Sequence, residues 1–165
     1  AGTAHAIGPG LLIAEIQTPS DTTYRIFDWS RVDDTGKARQ LHIEEALESI
    51  HFDARSDNLS VTTGGRLVDC KYFKIDKGTQ AKGRELLLSP GKMKTLIILT
   101  GSGTIPGAEG NTVDLVRNST TADIRQKQEI SNGVEFKAGD TLLVPAVYEG
   151  AIRFADDTQY LIITI

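Results

Sequence analysis

Three residues near the start of the chain, His5, Glu15 and Arg25, have the side-chain types from which acid–base and metal-assisted chemistry is built. His5 follows the small-residue run Gly2-Thr3-Ala4. Glu15 interrupts the apolar run Leu11 to Ile16, and Arg25 follows Ser20-Asp21-Thr22-Thr23-Tyr24. A charged group inside an apolar strand needs a partner, because an unpaired buried charge costs on the order of several kcal/mol. A metal ion or an anionic substrate can supply that partner. So can the chain itself. A lone histidine at a turn is commonly a hydrogen-bonded structural residue. Arg25 and Glu15 can pair across neighbouring strands, and Asp21 can cap the turn before Tyr24. Gln17 suits a hydrogen-bonding, orienting role, and Phe27 and Trp29 are expected in the core. Residue types alone leave the catalytic and structural readings open.

Other groups carry less. Gly101-Ser102-Gly103 has neither the lysine nor the strand-to-helix setting of a phosphate loop and reads as a hairpin turn. His42 and His51 flank an acidic segment without the i, i+4 spacing of a helical zinc pair, so both are expected at solvated positions. Cys70 is the only cysteine, which rules out a disulfide or thiolate cluster within the chain and suits a reducing cytoplasm. It is expected as a small buried residue on one strand face with Val68 and Tyr72. Serine, histidine and aspartate all occur, but no nucleophile elbow brings them together.

These residues must be positioned by a chain of 165 residues, enough for one domain with a sizeable core, or a small domain plus part of another. A hydrophobic share of 39% and a charged share of 24% are those of an ordinary globular protein. With 18 Lys and Arg against 22 Asp and Glu, and no basic run, electrostatic capture of nucleic acid or an anionic membrane is not suggested. No apolar stretch is long enough to span a bilayer, and the start lacks the order of a secretory signal.

The apolar residues mostly recur with period two, in runs bounded by Gly, Asn, Asp or Pro, which makes the chain mainly β. Strands are expected at residues 11–17, 24–29, 68–75, 85–89, 94–100, 112–116, 133–137, 141–144, 151–154 and 160–165. Leu41, Ile43, Ala46, Leu47 and Ile50 break the pattern with spacings of three and four, and predict a short amphipathic helix. The polar stretches 30–40 and 53–65 read as surface connections. Residues 1–40 and 66–165 are therefore expected as separate β units, joined by a helix and linker over 41–65. Within the second, Leu99-Thr100-Gly101-Ser102-Gly103 and Gly139-Asp140-Thr141-Leu142-Leu143-Val144-Pro145 give a series of hairpins that resembles the cupin form of the jelly-roll β-barrel. Metal-binding cupins carry histidines beside such turns. None stands there, so this second cupin is expected to be metal-free.

The run Gly2-Thr3-Ala4-His5-Ala6-Ile7, followed by Glu15-Ile16-Gln17, Ser20-Asp21-Thr22-Thr23-Tyr24-Arg25 and Phe27-Asp28-Trp29, closely resembles class I, zinc-dependent mannose-6-phosphate isomerases. The match is dense from Gly2 to Arg31 and looser from Cys70 to Ile165. The resemblance implies that the chain is the carboxy-terminal part of such an enzyme, holding part of a first cupin, a linking helix and a complete second cupin. It implies that His5 is a zinc ligand, the others lying on a missing amino-terminal portion of the same protein. Glu15 and Arg25 match family positions facing the sugar phosphate.

The reaction so implied is the interconversion of mannose 6-phosphate and fructose 6-phosphate through an enediol. Zinc polarises the sugar oxygens, a guanidinium stabilises negative charge, and a carboxylate can shuttle protons. His5 is accordingly assigned to zinc, Arg25 to electrostatic stabilisation and Glu15 to an acid/base role. Sugar-discriminating and phosphate-binding residues are expected mostly outside this chain, which alone is expected to be inactive. The alternative is a non-catalytic cupin module for carbohydrate binding or assembly.

Overall fold

A computed structural model describes residues 2–20, 22–53, 64–107, 113–116 and 133–165. The expected cap Asp21, most of the 53–65 connection and Thr112 of an expected strand lie outside them. The chain divides into two compact units, Ala1–Ser60 and Val61–Ile165.

In the first unit, helix α1 (Ile43–Ser49) forms where the three-and-four spacing places it. Glu44 and Glu45 in its first turn complement the helix dipole, and Ala46 is its one buried residue. The strands expected at 11–17 and 24–29 do not form. An extended segment becomes a strand only when a neighbouring strand takes its backbone N–H and C=O groups in a ladder, and among the described residues neither segment has one. Phe27 and Trp29 accordingly stand exposed, packed on each other with ring centroids 5.5 Å apart, and not in a core.

What the first unit does contain is a short hairpin where a plain connection was expected. Val32 bridges Ala38, and Asp33 closes the tip by accepting at Oδ1 from the backbone of Thr35 and Lys37 and from the Thr35 hydroxyl. These bonds, Thr35 first, hold the Asp33 carboxyl below the usual aspartate range.

The second unit is two antiparallel sheets. One orders β1 (Gly65–Asp69), β2 (Lys74–Gln80), β10 (Thr158–Thr164), β4 (Lys94–Thr100), β8 (Thr141–Val144) and β6 (Asp114–Val116). The other orders β3 (Glu85–Leu88), β9 (Gly150–Phe154), β5 (Ser102–Ile105) and β7 (Val134–Lys137). Alternation sends one face of each sheet inward. Leu96, Ile98, Leu142, Val144 and Tyr160 from the first meet Leu88, Ile105, Val134, Phe136, Ile152 and Phe154 from the second. Phe154 stacks on Tyr160 at 5.7 Å and meets Phe136 edge-on at 6.2 Å. The result is a jelly-roll sandwich whose ladders, among the described residues, stop at edge strands and do not close into one barrel.

The expected Gly-Asp turn joins β7 to β8, with Gly139 at φ +89° and buried Asp140 accepting from the Lys137 N–H at 3.0 Å. The segment expected as one strand over 68–75 is a hairpin instead. Asp69 pairs with Lys74, and Cys70 to Phe73 form the turn between β1 and β2. Cys70 is therefore exposed, not buried, with its thiol donating to the Phe73 carbonyl at 3.3 Å. Among the described residues no helix is long and apolar enough to cross a membrane.

Candidate functional site

His5 and Arg25 line one cavity of the first unit, about 450 Å³ in volume. The segments Thr3 to Ile7 and Thr23 to Trp29 form most of its wall, and Arg31 and Arg39 complete it. Glu15 does not line it and is exposed.

Arg25 is fixed through its backbone. Its N–H donates to His42 Nδ1 at 3.4 Å, and the His42 N–H donates to the Arg25 carbonyl at 2.8 Å. His42 is thus a half-buried positioning residue just ahead of α1, not the solvated histidine expected from sequence. Its place across from Arg25 depends on a chain reversal that helical spacing cannot reveal. His51 likewise has a partner, its N–H donating to the Gly2 carbonyl at 2.9 Å. Gly2, at φ +82°, lies so close beneath the His51 ring that a Cβ there would collide with it.

Asp28 is the buried charge of the cavity wall, 8% exposed. Arg39 gives it two hydrogen bonds, and these, with the charges of Arg39, Arg25 and Arg31, hold its carboxyl below the usual aspartate range against the opposing effect of burial. Arg31 lies over the Trp29 ring, 5.5 Å from its centroid. Three guanidiniums and a single carboxylate therefore line the cavity, leaving it cationic in a chain of net charge -4. Arg31 and Arg39 were not singled out by sequence reasoning, and Asp28 stood in the quoted motif without a role. The available signal was the polar turn Asp33-Asp34-Thr35-Gly36-Lys37 between Arg31-Val32 and Ala38-Arg39, a hairpin pattern.

His5 is exposed, and its Nδ1 lies 3.3 Å from the Thr3 carbonyl. With the proton on Nδ1, that contact leaves Nε2 as a lone pair free for a metal. Zinc usually takes three or four protein ligands. No group of three or more His, Cys, Asp or Glu among the described residues can hold a metal, so His5 does not make a zinc site with them.

No protein-family model matches the chain. It is 54% identical, over 93% of its length, to the probable mannose-6-phosphate isomerase GmuF of Bacillus subtilis, of which it covers 45%. Nearly the whole chain is thus similar to a part of a mannose-6-phosphate isomerase. It is also 39% identical to mannose-6-phosphate isomerase ManA of Bacillus subtilis over 46% of this chain and 26% of that one. The fold agrees: a crystal structure of mannose 6-phosphate isomerase from Bacillus subtilis superposes with a TM-score of 0.58 at 21% identity, over 88% of this chain and 41% of the other. The chain thus spans less than half the length of these mannose-6-phosphate isomerases.

Proposed function

We propose that the whole protein is a zinc-dependent, cytoplasmic isomerase that interconverts mannose 6-phosphate and fructose 6-phosphate through an enediol. The observation that carries the reading is that His5 and Arg25, the metal and active-site positions of the family motif, line one cationic cavity. In this reading Arg25 supplies permanent positive charge and directional donors beside the enediolate. His42, gripping the Arg25 backbone, sets where that charge sits. His5 is one zinc ligand, and the remaining ligands come from a part of the protein outside this chain. The same part covers the apolar side chains that the first unit exposes, among them Leu11, Leu12 and Ile13. Glu15 enters as an acid/base residue on the family resemblance alone.

The reaction needs a proton taken from the carbon beside a carbonyl and returned to its neighbour, so charge builds on oxygen in between. Fixed cations lining the cavity stabilise that charge without having to reorganise. The test is turnover of mannose 6-phosphate by the whole protein, with zinc content measured on the same sample. Conversion to fructose 6-phosphate that chelation abolishes supports the reading. Sugar binding without turnover, indifferent to chelator and surviving Arg25→Ala, would point instead to a non-catalytic cupin module.

A further inference from the structure

We propose that α1 is a strut between two walls of the cavity: His42 at one end fixes the segment that carries Arg25, and His51 past the other end fixes the segment that carries His5. Both histidines are positioning residues, and a disturbance at either is felt at the other. The inference rests on reading the cavity as the isomerase site, and it adds how the chain keeps that site's two segments in register.

At the amino-terminal end His42 is tied three ways. Its N–H donates to the Arg25 carbonyl at 2.8 Å, its carbonyl accepts the first bond of the helix from the Ala46 N–H at 3.0 Å, and its Nδ1 accepts from the Arg25 N–H at 3.4 Å. The Tyr24 ring lies 6.2 Å from the His42 ring, a second contact between the same two segments. His42 is also the N-cap of α1, a place where Ser, Thr, Asp or Asn ordinarily accepts from a first-turn N–H. The His42 side chain makes no such capping bond. The helix forgoes a cap, and the acceptor is turned to the arginine's backbone instead.

At the other end the Ile50 N–H closes the helix on the Ala46 carbonyl, and the His51 N–H donates to the Gly2 carbonyl at 2.9 Å. The His51 ring packs so tightly on Gly2 that a Cβ there would collide with Cδ2 and lie 2.6 Å from Nε2. Gly2 leads into Thr3 to Ile7, the run that carries His5 and lines the cavity. The seven residues of α1 set the two anchors about 10 Å apart, at about 1.5 Å per residue. A helix this short is marginal alone in water and forms or frays as a unit, and α1 buries only Ala46. Its two anchors therefore hold the helix as much as the helix holds them, which is what couples the two segments.

The experiment is amide hydrogen exchange at Arg25 and His51 of the whole protein, with steady-state kinetics on mannose 6-phosphate. His42→Ala removes the Nδ1 acceptor and spares the backbone groups. It is expected to speed exchange of the Arg25 amide about fivefold or more, to speed the His51 amide at the far end as well, and to lower kcat about tenfold while changing KM less. His42→Asn, whose Oδ1 can stand where Nδ1 does, is expected to restore exchange and kcat. His42→Ser, as good an N-cap but too short to reach Arg25, is not. Recovery by serine as full as by asparagine makes His42 a mere cap and overturns the proposal. From the other end, Gly2→Ala is expected to speed exchange at Arg25, with part of the effect recovered when His51→Ala removes the colliding ring. An Arg25 amide indifferent to Gly2→Ala, or a His51 amide indifferent to His42→Ala, overturns the strut. Coupled amides in a parent without turnover leave the strut standing and remove the proposed activity. Turnover with uncoupled amides does the reverse.

Discussion

Asp28 holds the Arg39 guanidinium at two points, Nε donating to Oδ2 at 2.7 Å and Nη2 to Oδ1 at 2.5 Å. The two ends differ in setting: the Asp28 side chain is 9% exposed and that of Arg39 48%. The pair closes the base of the hairpin that carries Arg31, so its loss loosens the cavity wall as well as exposing a charge.

The Asp28 carboxyl is held below the usual range, chiefly by its hydrogen bonds from Arg39. A carboxylate with a depressed folded-state pKa contributes stability that is complete above its unfolded value, about 3.9, and is lost as pH falls through the folded value. Asp28→Asn is therefore expected to be less stable than the parent at pH 7, with the gap closing below about pH 4. Denaturant midpoints of both proteins across that range check it. A gap that stays constant into acid contradicts the assignment.

Gly103 on β5 is paired with Phe136 on one side and Phe154 on the other. A Cβ there would collide with the Arg153 carbonyl and come 2.6 Å from Phe136 Cζ. Both neighbours are held by the sheet and the core, so Gly103→Ala is expected to destabilise by about 1–3 kcal/mol. Gly8, with nothing near its would-be Cβ, is the control and is expected to take alanine with little change. Thermal or urea unfolding of the two variants measures both effects.

Cys70 lies in the β1–β2 turn, exposed. Its reaction with a disulfide reagent is expected to go to completion on the native protein, with one equivalent released from this chain and no need for denaturant. Thiol that reacts only after unfolding would restore the buried-strand reading.

The limits of that reading follow from what alternation encodes. Where apolar residues alternate and both neighbouring strands lie within the unit, as for β4 and β8, the expected bounds and the folded ones coincide. Alternation continuing through Val68, Cys70 and Tyr72 masked a turn, because period two does not say where a chain reverses. β5 was hidden for the opposite reason: Ser102-Gly103-Thr104 has the composition of a turn, and only the close approach of Phe136 and Arg153 explains a glycine in a strand.

The segments around Leu11 and Tyr24 have strand composition but no neighbouring strand among the described residues to form a ladder with. In the cavity, His5 and Arg25 could be named from their motif. Asp28 stood in the same motif without a role, and Arg31, Arg39 and His42 could not be named, since their roles come from a hairpin register and a chain reversal, not from spacing.

The central claim is that Arg25 works on a sugar phosphate in this cavity. Its direct measure is mannose 6-phosphate turnover by the whole protein, with and without Arg25→Ala, and with circular dichroism confirming the fold of each. The account predicts turnover in the parent and a loss of about 10²-fold or more in the variant at unchanged secondary structure. Turnover in folded Arg25→Ala within about threefold of the parent would contradict it.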